Sequence, residues 1–401
     1  MINTSSRRFL NRSSPPSMFT LILLASVSAL TMTIYLPSLP TIASELNSST
    51  GIIGLSVGIY LASSAAVQLI VGPLSDQVGR RPLIIWSLVL FCISTVALIF
   101  SQSAGQFFVL RVFQAVCATC MVLSRAIVRD TTDSVQAAGS RIAYVTMGMA
   151  IVPMFGPAIG GVLDYFFGWK AICWALFYLG IAILVISFFD VGETMRTKSK
   201  SFSEQISTYP TLLRSKRFWA YCISSACASG AFFSYLGGAP FVGSEVFELA
   251  PRELGIWVGI PAIGYVFGNF LSGRFSMKIG NDIMVLLGIS ISLFGVSMSL
   301  SLSLFGLGSA SSFFGSVIVV GIGNGMTVPN STAAMMSINQ KLAGTAAGLG
   351  SAIMIGGGAS LSAVANFILV PGSSEIPLLV LMWISVFVGL PAVLYAVYRG
   401  K

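Results

Sequence analysis

The sequence predicts an all-α fold that crosses a membrane about twelve times, its helices gathered in two bundles of six. Three observations lead there. Of the 401 residues, 55% are hydrophobic and only 9% are charged, whereas a soluble domain carries about 25% charged residues. Mean hydropathy is +0.89, and a window of about 19 residues breaks the chain into apolar runs able to cross roughly 30 Å of hydrocarbon. Finally, the basic residues fall in short clusters in every second loop.

The first run, 18–38, follows a basic start (Arg7, Arg8, Arg12) and closes on YLPSLP. It lacks a cleavage-site pattern and leads into further spans, so it reads as a retained helix rather than a signal peptide. Runs at 51–73, 82–101, 105–128, 141–164 and 169–189 complete the first half. The second half reads 217–238, 254–273, 282–303, 309–331, 343–370 and 376–398. An even number of crossings returns both termini to one face. Basic clusters mark that face: Arg80 and Arg81, Arg129 and Arg141, Arg196 to Arg217, Arg274 and Lys278, Lys341, and Arg399 with Lys401. By the positive-inside rule both termini and the middle loop are cytoplasmic. The net charge of +9 is thus a topology signal; a nucleic-acid partner would need one continuous basic patch.

Segment 191–216 is polar and basic and contains no spanning run. It divides the chain into an N-terminal bundle (1–190), a cytoplasmic linker (191–216) and a C-terminal bundle (217–401). Residues 202–213 read equally well as an amphipathic surface helix or a flexible tether. The halves echo each other weakly after their second helices, GPLSDQVGRRPLII against GNFLSGRFSMKIGNDIM. Two such halves suggest a transporter built from repeats, with its site at the midplane between them. Small-xxx-small pairs (Gly54 and Gly58, Gly156 and Gly160, Gly264 and Gly268, Gly321 and Gly325, Gly344 and Gly348) predict close helix contacts.

The six cysteines all lie in apolar runs, and histidine is absent. Disulfides, metal sites and cofactors are therefore not expected, and Cys117 and Cys120 read as packing residues. An enzyme is disfavoured by the lack of histidine, of G-x-S-x-G, of a lysine-bearing P-loop and of paired intramembrane carboxylates. A channel is disfavoured by the lack of a filter sequence.

In the loop GPLSDQVGRRP, residues 72–82, Gly72, Leu74, Asp76, Gly79, Arg80 and Arg81 match the pattern G-x-L-x-D-x-x-G-R-R. This loop resembles the signature loop of the major facilitator superfamily. RVFQAV (111–116) resembles that family's fourth-helix motif with a buried arginine. PMFGPAIGG (153–161), with Pro153, Gly156, Pro157, Gly160 and Gly161, resembles the fifth-helix antiporter motif of its exporters. YLPSLP, RAIVRD and AGTAAGL are similar to strings in the bicyclomycin-resistance and chloramphenicol-efflux branch of drug:proton antiporters. The resemblance implies a monomer in the bacterial inner membrane that exports small amphipathic molecules in exchange for protons. It also implies that Asp76, backed by Arg80 and Asp130, latches onto the start of the eleventh helix near Ala343 to Thr345, where the helix dipole favours an anion. Arg81 is expected only to set topology.

Arg111 enters the fourth helix at membrane depth. It must face the bundle interior with a partner, or else snorkel to the interface. Gln114 shares its face, and the resemblance gives this pair to coupling or substrate binding. Arg125, nearer the cytoplasm, is expected to snorkel or to pair with an acid. Relatives in this branch often read T-D-M-Y-L-P in helix one; here M-T-I-Y-L-P places Thr33 in the acid's slot. Asp164, at the outer end of helix five, is the remaining candidate for proton coupling. Thr33, Tyr35, Tyr60, Tyr235, Tyr265, Asn269 and Asn324 are candidates to contact a small-molecule substrate. The expected cavity is apolar and aromatic with a mild positive potential.

Overall fold

The computed structural model describes residues 10–132, 135–195, 209–338 and 343–400. Its twelve long helices are joined without any strand among the described residues. The first six are α1 (Met18–Glu45), α2 (Thr50–Val78), α3 (Arg80–Ile99), α4 (Ala104–Asp130), α5 (Val135–Phe167) and α6 (Lys170–Asp190). The second six are α7 (Lys216–Phe241), α8 (Pro251–Ile279), α9 (Asn281–Leu304), α10 (Ala310–Ile338), α11 (Ala343–Ile368) and α12 (Ile376–Gly400). The chain is an all-α polytopic membrane protein of two helical bundles.

Local chemistry explains where helices start and break. Ser17, Ser49, Ser103 and Ser215 precede α1, α2, α4 and α7, and each side chain accepts a backbone N–H three residues on. Pro37 and Pro40 turn α1 through a 3₁₀ segment at Leu36–Ser38. α4 tightens into a 3₁₀ turn at Ala115–Cys117, and α7 ends in a π turn at Val242–Val246; mid-helix irregularities of both kinds concentrate at functional hinges. The turns from α2 to α3 and from α8 to α9 each pivot on one residue, Gly79 (φ +106°) and Gly280 (φ +86°). That shared backbone geometry is the structural counterpart of the weak sequence echo. Several helices outrun their apolar stretches: α5 begins at Val135, six residues before the predicted run. Polar end turns continue the helix beyond hydrocarbon, where hydropathy no longer marks them. Of the predicted linker, residues 196–208 lie outside the described residues, and Tyr209–Leu213 form a short helical turn.

Among the described residues, the closest glycine contacts between the two bundles cluster at one end. There α2 packs along α11 and α5 along α8, and both contacts depend on glycine. A Cβ on Gly51 would stand 3.2 Å from the Asn366 carbonyl oxygen, and one on Gly58 would stand 3.1 Å from that of Ala359. A Cβ on Gly161 would reach 2.4 Å from the Pro251 carbonyl oxygen, and one on Gly255 would reach 2.5 Å from that of Pro157. At the opposite end, a Cβ on Gly72 of α2 or on Gly348 of α11 would meet nothing within 4 Å among the described residues. We call these the seal end, which bears Glu45, Lys170 and Glu245, and the basic end, which bears Arg80, Asp130 and Asp282.

Glycine contacts also hold each bundle together. The predicted pairs on α8 (Gly264, Gly268) and α10 (Gly321, Gly325) face each other: the first lie over the carbonyls of Ile318 and Ile322, the second over those of Pro261 and Tyr265. Gly156 and Gly160 of α5 lie against Thr33 and Ile34 of α1. The pair on α11 differs, since Gly348 is open and the surroundings of Gly344 lie outside the description.

Candidate functional site

Arg111 is enclosed within the membrane span, with 1% of its surface exposed. One terminal nitrogen donates to the Thr31 carbonyl at 3.1 Å and to Gln114 Oε1 at 2.7 Å. Its guanidinium carbon lies 4.9 Å from the Tyr35 ring centre and 4.5 Å from that of Tyr60, a cation–π sandwich. Gln114 Nε2 donates to Thr95 Oγ1 at 2.9 Å and to the Tyr35 hydroxyl at 3.4 Å. The Tyr60 hydroxyl donates to the Ser28 carbonyl at 2.9 Å and lies 3.3 Å from Cys117 Sγ; Tyr35 Oη lies 3.4 Å from Cys173 Sγ. No carboxylate enters this network among the described residues, and Arg111 Nε finds no acceptor. The fork's charge is spread over carbonyls, an amide and aromatic faces.

This geometry removes the snorkelling alternative for Arg111. It also moves Tyr35, Tyr60, Arg111 and Gln114 from an expected cavity wall to the core of the first bundle. All four are buried, because α1, α2, α3, α4 and α6 converge on them. Thr33 is buried too; its hydroxyl donates to the Ala29 carbonyl at 3.1 Å, against Gly156 of α5.

At the basic end, the Arg80 guanidinium pairs with Asp130 at 3.2 Å and donates to Ser75 Oγ. Asp130 also accepts from Thr194 Oγ1 at 3.3 Å. The Glu193 carboxylate caps α3, accepting from the backbone N–H of Arg80 at 3.1 Å and of Arg81 at 3.2 Å. Gly79 is required twice over: its φ is +106°, and a Cβ there would stand 2.5 Å from Glu193 Oε2. Arg81 does more than set topology, since its Nε donates to the Val191 carbonyl at 3.0 Å. Asp190 caps α1, accepting from the N–H of Leu10 and of Ser17 at 2.9 Å each and from Thr20 Oγ1 at 2.6 Å. Asp76 lies near the end of α2, but its side chain and the start of α11 are outside the described side chains, as is the side chain of Pro153.

Asp164 is buried at the seal end of α5. Oδ2 accepts from Thr41 Oγ1 at 2.8 Å, while Oδ1 has no partner among the described residues. The other acids also sit at helix ends. Glu45 pairs with Lys170 and accepts from Trp169 Nε1. Glu245 accepts from Thr50 Oγ1 across the seal at 3.4 Å, and Tyr221 donates to Asp282 at 2.6 Å. Asp133 and Glu204 lie outside the described residues or side chains.

In the second bundle, Tyr235 is enclosed by Phe232, Phe313 and Phe314 and donates to the Val258 carbonyl at 3.3 Å, so it belongs to the core. Asn324 is buried and accepts from Ser229 Oγ at 3.4 Å. Tyr265 and Asn269 on α8 are half-buried. Arg125 of α4 is half-buried and forms no ion pair with any acid among the described residues, which leaves the snorkelling alternative of the two the sequence offered. The capping roles of Glu193 and Asp190 were not legible beforehand. Their one sequence signal is an acid just past a span, beside the start of another helix.

A family model described as Major Facilitator Superfamily matches residues 21–363. An uncharacterized MFS-type transporter, YdgK, of Bacillus subtilis is 31% identical over 64% of this chain and 65% of its own length, just under two thirds of that protein. A chloramphenicol resistance protein of Pseudomonas aeruginosa is 28% identical over 80% of this chain and 76% of its own. A bicyclomycin resistance protein homolog of Haemophilus influenzae is 24% identical over 78% and 79%. In fold, the chain is similar to a bacterial homolog of the human lysosomal transporter Spinster, with a TM-score of 0.70 at 16% identity over 95% of this chain and 94% of that one. With its two helical bundles, its signature turn at Gly79–Arg80 and a family match across most of its length, the chain belongs to the Major Facilitator Superfamily.

Proposed function

We propose that this chain is a secondary transporter of the bacterial inner membrane that exports small amphipathic molecules, antibiotics among them, by alternating access, with protons as the counter-ion. The observation that carries this reading is the unequal contact between bundles. α2 and α11 touch through Gly51 and Gly58 at one end, while at the other a Cβ on Gly72 or Gly348 would meet nothing within 4 Å among the described residues. Close packing of the bundles at one end is what a rocking pair presents in one of its two states. The positive-inside rule places the basic end, and with it both termini, in the cytoplasm, so the state described opens inward. Segments 1–190 and 217–401 then move as units on the 191–216 linker. Closure at the basic end would bring Gly72 towards α11 and allow Asp76, held beside the Arg80–Asp130 pair, to meet that helix's N-terminus. The resistance proteins among the relatives support drugs as substrates.

For coupling, Asp164 is the best-placed acid: it is buried, with one oxygen unpartnered, on the helix carrying the antiporter-like glycines. A second reading is a metabolite or siderophore exporter, or a facilitator, that uses no helix-one acid. Thr33 favours it, since this residue is packed where relatives often carry aspartate. The experiment compares drug efflux from proteoliposomes with and without an imposed pH gradient, using the native chain, Asp164→Asn and Thr33→Asp. Gradient-driven efflux that disappears in Asp164→Asn supports antiport. A native protein indifferent to the gradient removes it, and accumulation in everted vesicles decides direction.

A further inference from the structure

Along α6, Trp174, Tyr178, Ile181, Val185 and Phe188 all expose their side chains. Steps of four and three residues put them on one stripe of the helix, and an exposed apolar stripe on a spanning helix faces lipid. The 21 residues of α6 cover about 30 Å at 1.5 Å per residue, the thickness of the hydrocarbon. Phe188, two residues before the last, therefore stands where acyl chains give way to headgroups at the basic end.

Two arginines from distant parts of the chain converge on that ring. The guanidinium carbon of Arg12 lies 4.2 Å from its centre, and that of Arg81 lies 5.2 Å from it. Arg12 Nε donates to the Phe188 carbonyl at 2.7 Å, and Arg81 Nη2 reaches the same oxygen at 3.4 Å. The backbone of the N-terminal segment is pressed onto the end of α6, since a Cβ on Gly192 would collide with the Arg12 carbonyl oxygen. Neither arginine forms an ion pair among the described residues. The neighbouring carboxylates are turned to backbone N–H groups: Asp190 to those of Leu10 and Ser17, Glu193 to those of Arg80, Arg81 and Met195. Both terminal nitrogens of Arg12 and one of Arg81 thus meet no acceptor among the described residues.

Guanidinium N–H groups form charge-assisted bonds to phosphate oxygens, and an exposed ring beside them offers apolar contact to the first carbons of an acyl chain. We infer that Arg12, Arg81 and Phe188 form a binding site for an anionic phospholipid, its phosphate on the free guanidinium nitrogens and its chains along the α6 stripe. A zwitterionic lipid fits less well, because its own cation is repelled by the two arginines. The site faces the bilayer, away from any path between the bundles, and does not depend on what the chain carries.

The test measures the binding of single lipids to the full chain in detergent by native mass spectrometry, using dioleoylphosphatidylglycerol and dioleoylphosphatidylcholine. The glycerol lipid binds at least about ten-fold more tightly than the choline lipid. Arg12→Gln and Arg81→Gln each remove part of that preference, and the double variant abolishes it. Arg274→Gln, at an exposed position at the basic end of the second bundle, leaves it within about two-fold. Thermal unfolding verifies each variant. If Arg81→Gln does not fold, Arg12→Gln decides alone: a reduced preference supports the site and an unchanged one overturns it. Equal binding of the two lipids by the native chain overturns the assignment, as does a preference that survives the double variant. A preference that falls equally in Arg274→Gln belongs to the basic surface as a whole and overturns it too. Displacement of the glycerol lipid by millimolar inorganic phosphate would make this a site for free phosphate, and a chain dimer lost in Arg12→Gln would give the stripe to a second copy. Either result removes the phospholipid.

Discussion

Adding a single methyl group at Gly161 should push the molecule out of the state described. An alanine Cβ there would lie 2.4 Å from the Pro251 carbonyl oxygen and 3.2 Å from the Gly255 Cα, both backbone atoms of the opposite bundle. No rotamer can relieve such a contact. Restoring an ordinary separation of about 3.4 Å requires α5 and α8 to part by about 1 Å, which loosens the neighbouring Gly255–Pro157 contact as well. Overpacking of this kind costs about 1–3 kcal/mol, and the cost falls only on the state in which the seal is shut. The ratio of seal-open to seal-closed molecules should therefore rise about 5- to 150-fold. A cysteine at Thr50, which is buried at the seal beside Glu245, reports this opening through its rate of reaction with a membrane-impermeant maleimide. Gly161→Ala should accelerate labelling by at least about five-fold over the Thr50→Cys parent, whereas Gly72→Ala, placed in open space, should leave the rate within about two-fold. If the rate in Gly161→Ala is unchanged while the protein remains folded, the glycine contact is not what holds the seal.

Four further substitutions, two of them combined in one chain, probe the networks within the first bundle. Arg111→Lys keeps the charge but cannot reach both Thr31 and Gln114 from between two tyrosine rings, so a buried acceptor goes unmet and the protein should lose about 1–3 kcal/mol, read as a lower thermal midpoint; an unshifted midpoint would show the fork to be dispensable. Gly79→Ala combines a strained φ with a clash against Glu193 and should cost about 1–3 kcal/mol, read as a lower thermal midpoint. Glu193→Ala in the same chain should recover part of that loss, and no recovery would show that strain alone is responsible. Asp190→Ala leaves the N–H groups of Leu10 and Ser17 without their acceptor at the start of α1 and should destabilise by about 2–3 kcal/mol; an unshifted midpoint would mean that water replaces the carboxylate at no cost.

How far the sequence could be read depended on the kind of physics each feature obeys. The class of fold, the number of helices and the signature turn were legible because they rest on composition over a window and on local chemistry. Every span from α1 to α12 appears where an apolar run stood, and Gly79 sits in the turn its motif predicted. Site geometry was legible only in part. Arg111 was identifiable as an inward-facing arginine because exposing it to lipid is so unfavourable, and its pairing with Arg111's helical neighbour Gln114 follows from three-residue spacing. That Tyr35 and Tyr60 would sandwich it within one bundle did not follow, and neither did the core position of Tyr235.

The sequence alone determined that this is a twelve-helix membrane protein with its basic loops on one face, because hydrophobicity and charge act residue by residue against bilayer and water. Tertiary structure decided which glycines oppose one another, at which end the bundles pack most closely, where Glu193 and Asp190 place their carboxylates, and that Arg125 forms no ion pair with an acid among the described residues. Those outcomes depend on how each helix is rotated and tilted against its neighbours. Lipid tails and the bundle interior are almost equally apolar, so hydropathy does not set that rotation. Close backbone approach at small residues, and the need of each buried polar group for a partner, set it instead.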